Sequence, residues 1–545
     1  MRRKLYQSLI AMALSLTMLV AGVGCGGGGQ PDTDQTLQIY AFEQGYGAQW
    51  VYDLAEEFKK QDWVKKAYPE LQVVISDNEL ANFAKNQLDL GSKKNTYDLL
   101  FGTALSDYAG GQQIANLTET VYNKLLPGEE ITYSDKLKDS VKANFVYHDR
   151  TVADPIDEYY MVPYQGGRTG ILYNEDLLAE YKIEIPRTTD ELYAACVKIK
   201  GMGKAPFIQA DDEAYWNKHI MQVWWAQYEG VQGYNNFYDG IVVDDDGLSS
   251  YNVGIFEQKG RLESLKVMEK LLKRTSNKES TTENFLHSSS FGSNNYMVQQ
   301  TSFLGGTGVF HVNGDWFDDE MKERKADLLA HGGKDYTIKM MRTPIISSII
   351  DNCPDNTIAD DAELSALVKA IDEGKKDLVG EGYDVSQQTY DKILEARFIV
   401  DGTNAGVAGV IPSYAKGKAI AIDFVRFMAT DIGLGVFAKA TSGATLDFEF
   451  NLMEADEEVY NSISPLNKDR IQYFNSDMHQ IEILRHSGSF ALVKYGNLSA
   501  FADLDYFGSF TEIGNKKTAK DYYDETIAYW TEDMFRNALS NAGKI

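Results

Sequence analysis

The strongest constraint on the fold is a regular alternation of strand and helix patterns at the start of the chain. Runs of β-branched and aromatic residues at 37–42, 71–76 and 96–103 predict three buried strands. The segments between them, 47–60 and 79–90, predict two helices, the first with apolar residues on one face and charged residues on the other. Strands separated by helices at this spacing are typical of a parallel sheet covered by helices on both faces. We therefore expect an α/β fold.

A second unit of the same kind begins near Pro163. Residues 170–178 pass from a strand pattern into a helix pattern, and Thr188 with Glu191 three residues later has the form of a capping box. Later segments predict strands at 206–211 and 307–316, a helix at 219–228, and a helix at 415–440 that is broken near Gly433 and Gly435. A chain of 545 residues is too long for one ordinary core, so two or more lobes are expected.

The first 24 residues have the order of parts of a secretory signal peptide. Residues 2–4 are positively charged, residues 5–24 carry no charge, and small residues precede Cys25. The segment resembles a bacterial lipobox in which Cys25 would carry the lipid, with Gly22 where leucine is usual. A retained membrane anchor and ordinary secretion are the alternatives, because the apolar stretch approaches the roughly 20 residues of a spanning helix. We expect a protein lipid-anchored through Cys25 on the extracytoplasmic face of the cell membrane.

The charge of the chain excludes several classes of partner. The formal net charge is −27, and removal of the leader with its three basic residues makes it about −30. Such a surface repels phosphate backbones and anionic lipid headgroups, so we expect no nucleic-acid partner. A strongly acidic chain can be disordered, but 43% hydrophobic and 12% aromatic residues are ample for a packed core.

The few cysteines and histidines do not form a recognisable site in the sequence. Cys196 and Cys353 remain if Cys25 is lipidated. They could pair in an oxidising compartment, although two buried free thiols are the simpler interpretation. Among the seven histidines, His287, His311 and His331 are too scattered for metal-ligand spacing. We expect neither a metal nor a cofactor.

Four segments, taken in order, carry a family resemblance. They are LQIYAFEQGYGAQWVYDLAEEF (37–58), PYQGGRTGILYNEDLL (163–178) with IPRTTDELYAA (185–195), GTGVFHVNGDW (306–316), and AIAIDFVRFMATDIGLGVFAK (419–439) with the loop TSGAT after it. Together they resemble the extracellular solute-binding proteins of ATP-driven importers, in the sugar-binding branch (family 1) to which maltose-binding protein belongs. The agreement extends from residue 37 to about 445.

The resemblance implies a two-lobed periplasmic-binding-protein-like fold of type II. Two α/β lobes would be joined by a multi-strand hinge of about three crossings, with the ligand cleft between them. It also implies a function, in which a monomer captures a mono- or oligosaccharide and delivers it to the permease subunits of an ABC transporter. Loops after the C-terminal ends of the strands face the crevice in such sheets, so ligand contacts are expected there.

These patterns divide the chain into consecutive parts. They are a signal peptide at 1–24, a flexible linker at 25–36, the first part of lobe 1 at 37–165, lobe 2 at 166–345, an insertion at 346–400, a return to lobe 1 at 401–450 and a C-terminal helical region at 451–545. The insertion and the extended C-terminal region depart from the family pattern. The linker is rich in glycine and polar residues, which behave as flexible coil.

The Gly-x-Trp turn and the loop after the first strand supply the first candidate ligand contacts. Sugars are held by aromatic rings against their C–H faces and by planar polar groups on their hydroxyls. Trp316 lies in the turn where the family presents a stacking ring, although a lone tryptophan is often a core residue. Asp315 beside it would accept from sugar hydroxyls or cap the turn. Glu43 and Tyr46 lie in the loop that supplies polar contacts in sugar binders.

Two further pairs of residues complete the predicted site. Gln165 and Arg168 lie where the chain first crosses between the lobes, beside glycines that permit close approach to a ligand or hinge motion. Tyr215 and Trp216 follow the predicted strand at 206–211, in a loop that should open onto the cleft.

An exported carbohydrate-active enzyme is the main alternative, and a binder of a non-sugar polar solute is another. Glycoside hydrolysis needs two carboxylates across the scissile bond, but among 80 acidic residues such pairs mean nothing without geometry. The sequence holds no Gly-x-Ser-x-Gly nucleophile elbow, no HExxH motif and no phosphate loop. We therefore favour a binding protein over an enzyme.

Overall fold

The computed structural model describes most of the chain from residue 35 onward. The described residues are 35–43, 45–103, 105–147, 156–163, 167–210, 216–244, 246–274, 285–291, 295–355, 357–375, 378, 385–402, 407–444, 447–474, 481–483, 492, 506–512, 514–542 and 544–545. The predicted signal peptide, Cys25 and nearly all of the predicted linker lie outside these ranges. In the part that is described, no helix is long and apolar enough to cross a membrane.

The strands and helices alternate through much of the chain. The strands are β1 (Thr36–Phe42), β2 (Gln72–Asn78), β3 (Leu99–Gly102), β4 (Val146–Tyr147), β5 (Glu158–Tyr159), β6 (Val162–Pro163), β7 (Arg168–Asn174), β8 (Ala205–Phe207), β9 (Ile241–Val243), β10 (Ser249–Tyr251), β11 (Gly308–Gly314), β12 (Ile338–Met341), β13 (Ile399–Gly402), β14 (Ala408–Val410) and β15 (Ile481–Ile483). The helices are α1 (Gln49–Lys60), α2 (Asp62–Ala67), α3 (Phe83–Leu90), α4 (Tyr133–Lys136), α5 (Asp139–Phe145), α6 (Glu175–Tyr181), α7 (Thr189–Gly201), α8 (Gln222–Glu229), α9 (Val231–Asp239), α10 (Lys259–Leu272), α11 (Tyr296–Leu304), α12 (Phe317–Glu320), α13 (Lys322–Ala330), α14 (Asp361–Asp372), α15 (Gln387–Phe398), α16 (Lys418–Met428), α17 (Asp431–Ala440), α18 (Leu452–Ala455), α19 (Glu457–Ser462), α20 (Pro465–Phe474), α21 (Tyr506–Thr511), α22 (Ala519–Tyr529) and α23 (Glu532–Asn541).

The first sheet forms lobe 1, with the strand order β2-β1-β3-β14-β6. β1 runs parallel to both β2 and β3. α1 follows β1 and buries Trp50, Leu54 and Phe58, which recur at helical spacing along one face. These side chains share a core cluster with β1, β3, α16 and α17. The predicted parallel arrangement of the first three strands is therefore confirmed.

The second sheet forms lobe 2 and is mixed. Its order is β15-β13-β7-β11-β8, and β12 pairs with β7 as well. β11 is parallel to β8 but antiparallel to β7, and β12 and β13 are also antiparallel to β7. The expectation of a second parallel sheet was wrong. β7 runs away from lobe 1, whereas β11, β12 and β13 run toward lobe 1, so all three are antiparallel to β7.

The chain crosses between the two sheets at neighbouring positions. β6 of lobe 1 ends at Pro163 and β7 of lobe 2 begins at Arg168, while β13 ends at Gly402 and β14 begins at Ala408. Pro163 pairs with Ala408 in the first sheet, and Arg168 pairs with Gly402 in the second. A third crossing runs from α17 through α18 and α19 to α20, which packs on β12 of lobe 2. The predicted two-lobed α/β fold with a multi-strand hinge is confirmed.

The segment predicted as one helix broken at glycines forms the two helices α16 and α17. The break lies at Ala429 and Thr430, because the Thr430 hydroxyl accepts a hydrogen bond of 3.1 Å from the backbone nitrogen of Gly433 and so caps α17. Gly433 permits the sharp change of direction, since a Cβ there would lie 2.3 Å from the carbonyl oxygen of Phe427. The predicted position of the break was wrong because a side-chain cap, rather than the low helix propensity of glycine, decides it.

The predicted capping box at the start of α7 is half formed. Oγ1 of Thr188 accepts a 3.2 Å hydrogen bond from the backbone nitrogen of Glu191, as expected. The Glu191 carboxylate instead accepts from the backbone nitrogen of Arg187, at 2.7 Å, and from the hydroxyl of Ser365 on α14. The Glu191 side chain therefore connects two helices of lobe 2.

Residues 346–400 and the last helices pack into the core of lobe 2. Ile349, Leu364 and Phe398 share one core cluster with Ile171 of β7. α21 and α22 join the same cluster, and α23 packs with α8 and α9 in a neighbouring one. The domain boundaries, including the insertion at 346–400, stay predictions.

The cysteines Cys196 and Cys353 are both free thiols. Cys196 is buried on α7, and Cys353 is half-buried after Asn352. Burial raises the pKa of both thiols above the usual range, so they are held in the neutral form.

Candidate functional site

Asp315 is the centre of a polar cluster between the two lobes. It directly follows β11 and is fully buried. Its Oδ1 accepts a hydrogen bond from the hydroxyl of Tyr46 in lobe 1 and another, of 3.3 Å, from the backbone nitrogen of Arg168 at the start of β7. Its Oδ2 lies 3.3 Å from Nη1 of Arg470 on α20. One carboxylate therefore contacts both lobes and the C-terminal helical region.

Arg168 makes a second contact between the lobes. Its side chain is fully buried, and its Nη2 lies 3.6 Å from Oδ1 of Asp447, which is also fully buried. Asp447 belongs to lobe 1, because its carbonyl oxygen accepts from the backbone nitrogen of Lys138 at 3.0 Å and the next residue, Phe448, lies in the lobe 1 core. Buried charges are tolerated when they are paired, and this pair and the bonds of Asp315 both connect the two lobes.

Trp316 lies across the junction between the lobes and covers two glycines. Its ring centroid is 6.4 Å from that of Tyr46, and the two ring planes are nearly perpendicular, at 88°. A Cβ added to Gly45 of the lobe 1 loop would lie 2.7 Å from Cδ1 of Trp316, and one added to Gly314 would lie 2.1 Å from Cζ3. Glycine at both positions therefore makes room for the half-buried ring.

Glu43 lies in the same loop of lobe 1 as Tyr46 and is half-buried. Its backbone nitrogen donates a 2.9 Å hydrogen bond to the carbonyl oxygen of Asn78, which fixes the loop to the end of β2. Burial raises the pKa of Glu43, and the nearby charges of Asp77 and Glu79 raise it further. Glu43 thus adds an acidic group at the end of lobe 1 where β1 and β2 finish.

The remaining candidates from the sequence are not seen in this cluster. Trp216 is fully buried in the core of lobe 2, where its ring meets that of Phe207 at 4.9 Å. This packing favours a core role, and ligand contact by Trp216 stays a prediction. Gln165 and Tyr215 lie outside the described residues. The candidates that the structure brings together are Tyr46, Arg168, Asp315 and Trp316.

Sequence reasoning missed three residues of this junction, Arg470, Asp447 and Asp319. Oδ1 of Asp319 on α12 accepts a 2.9 Å hydrogen bond from the hydroxyl of Ser442, whose carbonyl oxygen accepts from Nδ2 of Asn467 at 2.9 Å. These bonds connect α12, the loop after α17 and α20. Two features of the sequence could have indicated part of this junction, namely the acidic run after the Gly-x-Trp turn and the loop TSGAT. No motif marks α20, which carries Arg470.

Burial sets the charge states of the polar groups at the junction. It raises the pKa of Asp319 to about 7, against the opposing hydrogen bond from Ser442. Burial and the Asp315 carboxylate raise the pKa of Tyr46 well above its ordinary value, so the phenol remains a hydrogen-bond donor. Burial lowers the pKa of Arg470, while the charge of Asp315 raises it. The junction can therefore offer both donors and acceptors to a polar solute.

We expect the contribution of Asp319 to stability to disappear as the pH rises through 7. Its pKa is about 7 in the folded protein and 3.8 ordinarily, so the folded state binds more protons between these values. The stability is fully present below pH ~4 and is lost as the pH passes 7. Between pH 5 and 8 the melting temperature should fall more steeply for wild type than for Asp319→Asn. Glu323→Gln, an exposed site on α13, is the control, and parallel curves for wild type and Asp319→Asn would contradict this expectation.

The two lobes place the polar cluster where strands of both sheets end. In lobe 1, β1 and β3 end toward the junction, and in lobe 2, β8, β11, β12 and β13 end at the edge where β7 begins. Ligands bind outside the carboxyl ends of strands in open α/β sheets, and the polar cluster lies at that place. Across the described ranges, no group of three or more His, Cys, Asp or Glu side chains is placed to hold a metal ion.

A family model matches nearly the first half of the chain. Residues 22–283 match the model of the bacterial extracellular solute-binding proteins, the family that the sequence motifs resemble. An uncharacterized ABC transporter extracellular-binding protein of Pyrococcus horikoshii is 24% identical over 264 residues, which cover 45% of this chain and 55% of that protein. The chain thus spans about half the length of this curated relative.

Solved structures share the fold over nearly the whole chain. The GacH receptor of Streptomyces glaucescens, solved unliganded and with acarbose, has a TM-score of 0.53 and 14% identity, covering 92% of this chain and 98% of that one. A protein of xylan utilization from Caldanaerobius polysaccharolyticus has a TM-score of 0.53 and 13% identity, covering 91% and 100%. A chitin oligosaccharide binding protein has a TM-score of 0.52 and 15% identity, covering 92% and 99%.

Proposed function

We propose that the protein is a lipid-anchored receptor that captures a carbohydrate between its lobes and delivers it to the permease of an ABC transporter. The observation that carries this proposal is the cluster at the junction. Trp316 and Tyr46 supply aromatic faces there, Asp315 and Arg168 supply polar groups, and Glu43 lies in the same loop of lobe 1 as Tyr46. Sugars require this combination, because they present hydroxyls around a weakly apolar ring. The acarbose receptor and the chitin oligosaccharide binder among the similar structures support a carbohydrate as the solute class.

Capture is coupled to closure in this proposal. The Tyr46–Asp315 and Arg168–Asp447 contacts join the lobes directly, so separation of the lobes exposes these groups to water. A sugar that enters between the separated lobes can bond to the same groups on both sides. The sugar then shifts the equilibrium from the open to the closed state, because it binds the closed state more tightly. The closed state is the one that we propose the permease recognises.

The anchor and the transporter partnership rest on the sequence and the family. A lipid on Cys25, followed by a flexible linker, would keep a monomeric receptor close to its transporter on the extracytoplasmic face of the membrane. The family and the similar structures are receptors rather than enzymes, which supports a binding role without catalysis.

A glycan panel tested by thermal shift and calorimetry checks the proposal. We expect at least one mono- or oligosaccharide to raise the melting temperature, with a stabilisation of about 2.7 kcal/mol at 100 times its Kd. Amino acids, peptides and other polar solutes form the control panel. Each glycan is analysed again by chromatography after incubation. Stabilisation by a non-sugar solute alone would show that the protein binds that solute rather than a carbohydrate. Hydrolysis of a glycan would favour the enzyme alternative.

A further inference from the structure

Lobe 2 contains a small cavity where its sheet forks. β12 and β13 pair with the same side of β7. The pairing of β12 ends at Ile171, and the pairing of β13 begins at Thr169, so the two strands separate between these residues. The cavity lies at this fork and has a volume of about 30 Å³. The described residues that line it include no acidic side chain, but they include four arginines, Arg168, Arg342, Arg397 and Arg470. A cavity lined by four cations is unexpected in a chain with a net charge of −27.

The four guanidinium groups are largely withdrawn from solvent. The side chains of Arg168, Arg397 and Arg470 are at most 5% exposed, and that of Arg342 is 12% exposed. Arg397 binds Asp372 through Nε and Nη2, both at 2.8 Å. Nη1 of Arg342 lies 3.9 Å from the same carboxylate, so Asp372 serves two arginines.

Three carboxylates, Asp447, Asp315 and Asp372, pair with the four arginines, so one positive charge more than the number of negative charges remains around the cavity. Like charges repel one another more strongly where burial lowers the dielectric constant. Burial lowers the pKa of Arg470, the charge of Asp315 opposes this effect, and the charge of Arg168 adds to it. An anion inside the cavity would offset this repulsion and accept charge-assisted hydrogen bonds from several guanidinium groups.

The volume limits the size of the anion. A single water needs at least about 10–15 Å³ by the same measure, so a cavity of about 30 Å³ has room for a halide ion or one carboxylate group. A sugar ring is too large for this space, which separates the cavity from the carbohydrate site proposed above.

We propose that the cavity at the fork is a binding site for a small anion, either a halide or a carboxylate group. Two of its arginines, Arg168 and Arg470, also form the ion pairs with Asp447 and Asp315 at the junction of the lobes. An anion held behind these two side chains reduces their mutual repulsion and so strengthens the closed arrangement. The proposal does not depend on which solute the receptor transports.

Anion titrations of the mature chain at constant ionic strength test the site. Sodium gluconate, whose anion is too large for the cavity, is replaced stepwise by sodium chloride or sodium formate. We expect a saturable rise in melting temperature and, for chloride, broadening of its NMR signal. Arg342→Met removes one lining guanidinium group and should weaken the apparent affinity at least tenfold. Arg324→Met, at an exposed arginine on α13, is the matched control and should leave the affinity unchanged.

Each outcome of the titrations has a defined meaning. Saturation by chloride alone assigns the site to a halide, and saturation by formate alone assigns it to a carboxylate. A response without saturation, or the same midpoint in wild type and Arg342→Met, would overturn the proposal and leave water as the occupant. If Arg342→Met does not fold, wild-type crystals soaked in bromide decide by anomalous scattering. A peak at the fork supports the site, and peaks confined to the surface overturn it.

Discussion

Replacing Asp315 with asparagine is expected to destabilise the folded protein by about 3–5 kcal/mol, the usual effect of removing one partner from a buried ion pair. The asparagine has nearly the same shape and retains an oxygen that can accept from Tyr46 and from the backbone nitrogen of Arg168. It removes the negative charge, which leaves the buried guanidinium group of Arg470 without its carboxylate partner at 3.3 Å. Urea unfolding followed by tryptophan fluorescence measures the loss.

A double replacement separates the charge effect from a change of packing. If unpaired charge is the cause, Asp315→Asn combined with Arg470→Met should be more stable than Asp315→Asn alone, because a buried ion pair can often be replaced by apolar groups at little cost. Glu323→Gln, which is exposed on α13, should unfold like wild type. A loss below about 1 kcal/mol for Asp315→Asn, the range of exposed pairs, would show that the pair is screened by solvent.

Replacing Trp316 with alanine is expected to weaken binding of the best glycan at least 30-fold. Truncation of a well-packed aromatic anchor typically costs about 2–4 kcal/mol of binding free energy, and every 1.4 kcal/mol or so is a factor of ten in Kd. Trp316 is placed for this role because its ring covers Gly45 and Gly314 at the junction and lies edge-on to Tyr46. Isothermal titration calorimetry with the best glycan of the panel measures the change.

A surface aromatic controls for the general effect of losing a ring. Tyr529 on α22 is 45% exposed, and Tyr529→Ala should bind the glycan like wild type. An unchanged Kd for Trp316→Ala would show that the ring does not touch the ligand. A lower melting temperature combined with that unchanged Kd would assign Trp316 to packing between the lobes.

The sequence predicts lobe 1 better than lobe 2 for a physical reason. The strands β1, β2 and β3 are joined by helices in simple succession, so periodicity and connection length determine that they are parallel. β7 pairs with β11, β12 and β13, which come from much later in the chain, and such pairing leaves no local pattern. The end of α16 was misplaced because the Thr430 cap determines where α17 begins.

The residues at the junction also differ in how well the sequence marks them. Asp315 and Trp316 lie in a recognisable turn, and Tyr46 and Arg168 lie in segments that the family resemblance marks, so the sequence offered all four as candidates. Their contacts with a ligand stay predictions. Arg470 carries no such mark, because α20 reaches the junction through its packing on β12 rather than through a motif. Partners that depend on tertiary packing are not encoded in local spacing.

The side-by-side crossings constrain how the two lobes can move. β6 and β14 are neighbours in one sheet, β7 and β13 are neighbours in the other, and short connections join β6 to β7 and β13 to β14. A twist of one lobe against the other would stretch one connection while it compresses its neighbour, whereas a bend across both leaves their lengths unchanged. The paired strands on either side of these two connections therefore favour a bend of the lobes over a twist. In the receptor that we propose, the solute enters and leaves on the side of the junction away from these two connections, so the topology of the chain determines which side opens.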